Sequence, residues 1–160
     1  MDQISLAVLL KWIHLMATVA WIGGMFTNFF IYIPAIGKTL DAPLAGKLMG
    51  AAMKRFRVMV YISMLTFIIT GILMGSLHLN YEGAFQSGNL MIAILIFKVP
   101  LYVIMVILAI LAFEVVTPRV ARLAAEGPSP KLLKAQKSQK ILAMAGFVLG
   151  LIILALSAAL

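Results

Sequence analysis

The sequence predicts an all-α fold: an integral membrane, antiparallel four-helix bundle with both termini extracytoplasmic. Three observations carry this expectation. Hydrophobic residues make up 64% of the 160 residues and charged residues only 11%, whereas a soluble domain is roughly half apolar and a quarter charged. A core of this size cannot hide that much apolar surface from water, so a bilayer is the natural solvent. Four apolar runs each reach the roughly 20 residues that hydrocarbon requires. The basic residues gather in two of the three connections between those runs.

The elements follow in order. The first span covers residues 4–33, is interrupted by Lys11 and stops at Pro34, because proline cannot donate to a helix and its ring clashes with the preceding turn. It lacks a basic leader and a small-residue cleavage site, so it reads as a retained helix and not as a signal peptide. The second span covers 58–79. The third, 90–116, contains Lys98 and Pro100, and the fourth covers 141–160. By length the chain is one domain, 1–160. Neither an internal repeat nor a low-complexity segment stands out.

The connection 37–57 carries Lys38, Lys47, Lys54, Arg55 and Arg57, and the connection 117–140 carries Arg119, Arg122, Lys131, Lys134, Lys137 and Lys140. Between them, 80–89 carries Glu82 and no basic residue. The positive-inside rule places the two basic connections in the cytoplasm of a cell inner (plasma) membrane. The net charge of +8 is therefore a topology signal, and no nucleic-acid partner is expected. With no cysteine, disulfides, thiolate metal sites and cysteine nucleophiles are excluded. Gly71-xxx-Gly75 and Gly146-xxx-Gly150 suit close helix packing, either within the bundle or at a homo-oligomer face.

This topology gathers Lys11, His14, His78 and Lys98 into the outer half of the bundle. Ionisable groups inside a membrane are costly and usually face the interior or a cavity. His14 lies about 15 Å along the helix from Ile4, and Lys98 about 12 Å from Leu90, at 1.5 Å per residue. Their depth favours a functional role. Lys11 has a plain alternative in snorkelling to the interface, and His78, two residues before Asn80, in an interfacial position. Along the first span Lys11, His14, Thr18, Trp21 and Met25 recur every three or four residues and share a face.

Imidazole binds haem iron, and a bundle interior can hold the macrocycle between facing helices. His14 and His78 are the candidate iron ligands. Lys11 and Lys98 would neutralise the anionic propionates, and Trp21 would line the site. His78 is shallower than His14 by about two helical turns, so a tilted or extended second helix, or a single protein ligand, is required. Copper is the competing metal, since thioethers suit Cu(I). The 11 methionines are scattered, however, and also read as flexible core filling. Pro100 leaves the Ile96 carbonyl without its helix partner and kinks the third span. Glu114 at the end of that span pairs with a basic connection. No phosphate loop, nucleophile triad or pair of buried carboxylates is visible.

The segment Leu10-Lys-Trp-Ile-His-Leu-Met-Ala-Thr-Val-Ala-Trp-Ile-Gly-Gly-Met25 resembles the first helix of the CopD/HemJ-like membrane proteins, in its histidine followed by Trp21, Gly23 and Gly24. Arg55-Phe-Arg57 with Thr70-Gly71 is similar to the family's second helix, Phe97-Lys98 to its third, and Thr117-Pro-Arg-Val-Ala-Arg122 to the loop of stand-alone CopD-like members. The resemblance implies copper uptake or resistance on the CopD side. On the HemJ side it implies b-type haem and oxidation of protoporphyrinogen IX, with His14 as haem ligand and Lys98 as a functional residue. The stretch from Met25 to Pro34 lacks the arginine and histidine of the HemJ pattern, and His78 is not a position the family supplies.

The expected protein is thus a b-type haem-binding membrane protein, embedded in membrane lipid, with an electron-transfer or redox role toward a quinone, a porphyrin or another small redox partner. The alternatives are copper transport or resistance, a HemJ-type protoporphyrinogen oxidase, and a non-catalytic membrane subunit. The topology is testable directly in a chain without cysteine. Lys47→Cys and Lys131→Cys should react with an impermeant maleimide only in inside-out vesicles, and Asn80→Cys only in right-side-out vesicles. Uniform labelling from one side would remove the four-span topology.

Overall fold

A hydrophobic chain in lipid must satisfy its backbone hydrogen bonds within the segment, which leaves helices as the simplest answer. The structure is a computed structural model that describes the backbone of residues 3–82 and 88–158 and the side chains of residues 4–76 and 96–157. All the elements formed by these residues are helical. In chain order they are α1 (Gln3–Thr27), a π-helical segment (Asn28–Tyr32), α2 (Ile33–Thr39), α3 (Ala42–Glu82), α4 (Gly88–Ile110), a second π-helical segment (Leu111–Val116), α5 (Thr117–Ala125) and α6 (Pro130–Ala158). Four stretches are long and apolar enough to cross a membrane: Ile4–Thr39, Ala42–Ser76, Ile96–Ala125 and Pro130–Ser157. The chain is an all-α, multi-pass membrane protein.

The helices outrun the spans that hydropathy delimits. Pro34 does not end the first helix, and Pro118 lies inside the helical run that follows α4. In both places the widened turn supplies the reason. The residue before each proline donates five residues back, Ile33 to the Asn28 carbonyl and Thr117 to the Ala112 carbonyl. Proline would otherwise leave a carbonyl unmatched and press its ring on the preceding turn. One extra residue in the turn absorbs that conflict without breaking the helix. The Thr117 hydroxyl also donates to the Ala112 carbonyl, at 2.8 Å.

The connections 37–57 and 117–140 are accordingly mostly helix. Their basic residues do not prevent this, because Ala, Leu, Lys, Arg and Gln are good helix formers whatever the solvent. α3 alone runs for 41 residues, about 60 Å at 1.5 Å per residue, or twice a hydrocarbon core of about 30 Å. Among the described residues the two basic connections leave the helix at the bend Leu40–Asp41 and at a turn at 126–129. In that turn Gly127 takes φ +100, the left-handed conformation that glycine adopts without steric cost. Its N–H closes α5 on the Ala124 carbonyl. Ser129 then caps α6 by accepting from the Leu132 N–H at 3.2 Å, just before Pro130 at the first helical position.

The chain divides into two units, residues 1–88 and 89–160. Each follows one plan: an apolar helix, a π-helical segment, a proline, a short helix, a turn and a long returning helix. In the first unit α1 packs against α3, and the pairs His14–Thr70 and Gly24–Phe56 show the two running antiparallel. On α1 and its extension, Leu10, Ala17, Trp21, Met25 and Asn28 are buried, as are Val60, Ser63, Met64 and Thr70 on α3. Leu10, His14, Ala17, Trp21, Gly24 and Asn28 advance in steps of four and three, the repeat of a left-handed helix pair. In the second unit Leu123 and Ala135 are buried, and Gln139 Nε2 donates to Thr117 Oγ1 at 2.9 Å, tying α6 to the start of α5.

Close approach in the first unit is concentrated at Gly24. A Cβ there would lie 2.6 Å from Phe56 and 2.8 Å from Met59, whereas one at Gly23, Gly71, Gly75 or Gly146 meets nothing within 4 Å. The glycine that permits contact in the first unit is therefore not in its glycine-xxx-glycine motif, Gly71 and Gly75. Gly24→Ala should lower stability by about 1–3 kcal/mol through overpacking. Gly23→Ala should leave it unchanged or raise it by up to about 1 kcal/mol, because alanine is the better helix former. Thermal unfolding in detergent compares the two, and equal shifts would show that α1 and α3 do not meet at Gly24.

Candidate functional site

The site is built where α1 and α3 face each other. His14 is half-buried on α1, and its Nδ1 lies 2.7 Å from Thr70 Oγ1, across 56 residues of sequence. Thr70 is 3% exposed, and its hydroxyl donates to the Thr66 carbonyl at 2.6 Å. A hydroxyl has one proton to give. With that proton committed to Thr66, Thr70 accepts from His14, so His14 carries its hydrogen on Nδ1. The lone pair then resides on Nε2, the nitrogen that a metal would take. A metal-binding histidine commonly has its other nitrogen fixed in this way.

Aromatic packing holds the ring. The centroids of His14 and Phe67 are 4.8 Å apart at an interplanar angle of 59°, and Trp21 stacks on Phe67 at 5.9 Å and 25°. Trp21, 3% exposed, thus supports Phe67 from about two helical turns beyond His14, and Phe67 backs His14. Thr18 uses its hydroxyl on the His14 carbonyl, at 2.9 Å, which satisfies its polarity inside the helix. Lys11 is exposed and stands one turn from His14 on the same flank of α1, the flank that also carries Thr18. Ile13, Met16 and Ala20 occupy the opposite flank.

The remaining sequence candidates fall elsewhere. The backbone of His78 lies on α3, eight residues past Thr70 and so about 12 Å further along the helix at 1.5 Å per residue. Its side chain lies outside the described residues. Lys98 belongs to the second unit, half-buried on α4 two residues before Pro100. His14 stands twenty residues before Pro34, and Lys98 twenty residues before Pro118. The two residues therefore hold equivalent positions in two units built on one plan, a correspondence hidden in the sequence until the prolines are seen to follow equivalent π-helical segments. Among the described residues no group of three or more His, Asp or Glu side chains could hold a metal ion. Buried Met25, Met64 and Met105 are core residues of their units.

Thr70, Phe67 and Thr66 had no role assigned from sequence. Their signal was present only as a serine- and threonine-bearing stripe, Ser63, Thr66 and Thr70, on an otherwise apolar helix. Asn28 is likewise buried, 9% exposed, where the first π-helical segment begins.

A family model described as a domain of unknown function (DUF4149) matches residues 16–129, and the chain belongs to that family. No curated protein and no solved structure matches the chain. Arg55, Thr70 and Lys98 lie within the matched residues, and His14 stands two residues before them.

The tautomer assignment is directly measurable. In ¹⁵N-histidine spectra His14 should show the Nδ1–H form. Thr70→Val should abolish that preference and cost about 1–3 kcal/mol, the penalty for leaving a buried polar group without its partner. A wild-type spectrum of the Nε2–H form would reverse the donor assignment.

Proposed function

We propose that this DUF4149 family member is a b-type haem-binding membrane protein, with His14 as an axial ligand, and that it serves in electron transfer or another redox reaction with a small or quinone-like partner. The observation that carries the reading is the hydrogen bond between His14 Nδ1 and Thr70. Thr70, buried where α1 meets α3, gives its proton to the Thr66 carbonyl and lies against the imidazole. Such a partner fixes the ring of a metal-binding histidine. A neutral imidazole presenting Nε2 is the donor that haem iron takes from proteins.

The equivalent placement of Lys98 in the second unit supports the same reading. Each unit thus carries an ionisable side chain twenty residues before its proline, inside an apolar span where such groups are usually retained for function. The exposed ammonium of Lys11, one turn from His14, would bind a propionate. Thr70 orients the ligand, and Phe67 with Trp21 excludes water from one side of it. His78 is the second-ranked ligand; its backbone register about 12 Å beyond Thr70 makes a single protein ligand the simpler arrangement. When bound, haem would supply an iron centre that cycles between two oxidation states.

The kinship with CopD/HemJ-like proteins belongs to this proposal. So does the placement of His14 in the membrane half opposite the basic connections, with those connections cytoplasmic.

The visible spectrum of the detergent-solubilised protein tests the proposal, either as isolated or after addition of haemin. A Soret band should be present in the wild type and lost in His14→Ala. In Thr70→Val it should be retained with weaker haem affinity, by about 10- to 100-fold, the usual effect of removing a partner that orients a ligand. A protein that stays colourless with haemin, or a Soret band indifferent to His14→Ala, rejects the haem reading. Stoichiometric copper without haem would transfer the protein to the copper alternative.

A further inference from the structure

A groove of about 560 Å³ runs between α1 and α3 in the first unit, on the flank away from His14. Trp12, Met16 and Ala20 line it from α1, and Arg55, Ile62 and Thr66 from α3. Its wall is mostly apolar. The Thr66 hydroxyl is turned to the Ile62 carbonyl, at 2.8 Å, so it offers its own helix and not the groove a proton. Arg55 stands at the other end, exposed, with Lys54 beside it in sequence and no acidic residue lining the groove. Among the described residues no hydrogen bond or ion pair engages Arg55.

Length and depth give the groove a scale. From Arg55 to Thr66 it extends about 16 Å at 1.5 Å per residue, close to the roughly 15 Å of one leaflet of a bilayer hydrocarbon core. Arg55 lies three residues before Val58, where the apolar run of α3 begins. The guanidinium therefore stands at headgroup level, and the apolar trough leads from it toward the middle of the membrane. We propose that this groove binds one anionic phospholipid from the leaflet on the basic side of the protein. Its phosphate is held by Arg55, and one acyl chain lies between α1 and α3. A planar guanidinium pairs with phosphate oxygens through two parallel hydrogen bonds. A saturated tail fits a wall that is mostly apolar, with Trp12, Met16, Ala20 and Ile62 along it and the Ser63 and Thr66 hydroxyls on the α3 side.

The site is independent of the proposed haem ligand, which lies on the other flank of α1, so either can fail without the other. Native mass spectrometry of the detergent-solubilised chain, titrated with phosphatidylglycerol or with phosphatidylcholine of the same tails, measures it. Wild type should retain one phosphatidylglycerol about fivefold more tightly than phosphatidylcholine, the effect of one well-placed basic residue. Arg55→Gln should remove that preference. Lys47→Gln, the same charge change outside the groove, should keep it. Ala20→Phe, which fills the trough, should weaken both lipids, and glycerol 3-phosphate, a headgroup without a tail, should not compete. The proposal is overturned if Arg55→Gln keeps the preference, if Lys47→Gln loses it equally, or if the tailless phosphate competes as well as the lipid. Should Ala20→Phe fail to fold, the comparison of Arg55→Gln with Lys47→Gln decides alone.

Discussion

Inside hydrocarbon a backbone amide has no water to turn to, and an unmatched one costs several kcal/mol. That single constraint organises this chain. It explains why the described elements are helical, and it explains the two π-helical segments. Pro34 and Pro118 each threaten a carbonyl in the preceding turn, and each time the helix widens by a residue instead of breaking. The threonines and Ser76 obey the same rule, spending hydroxyl protons on carbonyls three to five residues back, as at Thr18, Thr27 and Thr66. A polar side chain on these helices is tolerable because it is internally satisfied.

Against that background two side-chain bonds cross between helices, His14 to Thr70 in the first unit and Gln139 to Thr117 in the second. Thr70 meets its donor obligation locally, at Thr66, and is left with an acceptor facing α1. The imidazole Nδ1 meets it at 2.7 Å. The same contact fixes the register of the hairpin together with the close approach of Gly24 to Phe56 and Met59. Packing and site are thus one structure: the aromatic pair Trp21–Phe67 belongs to both the core stripe of α1 and α3 and the surroundings of the histidine. On the opposite flank the same two helices diverge enough to form the groove that ends at Arg55.

The apolar spans were legible because hydropathy over about 20 residues measures the solvent itself. His14 and Lys98 were legible as exceptions to it, each an ionisable residue well inside an apolar run. The helical state of the basic stretches was not legible in hydropathy, because a helix that leaves the membrane loses its apolar signature and keeps its propensity. Pro34 was taken as a stop, because sequence shows the missing donor and not the widened turn that accommodates it. The glycine motif of the second span has the spacing for close packing, yet in the first unit Gly24 is where side chains come close. Spacing marks which residues share a face, and only the partner helix determines which face is used.

By itself, then, the sequence determined an all-α, multi-pass membrane protein with four spans, most of its basic residues between them and Lys11, His14, His78 and Lys98 within. Those properties depend on composition along one helix at a time. Tertiary structure decided what lies opposite what: Thr70 across from His14, Phe56 against Gly24, and Arg55 at the mouth of an apolar trough. These pairings join residues tens of positions apart, and they are set by how two helices interlock, a balance of shape and hydrogen bonding that no single-helix pattern contains.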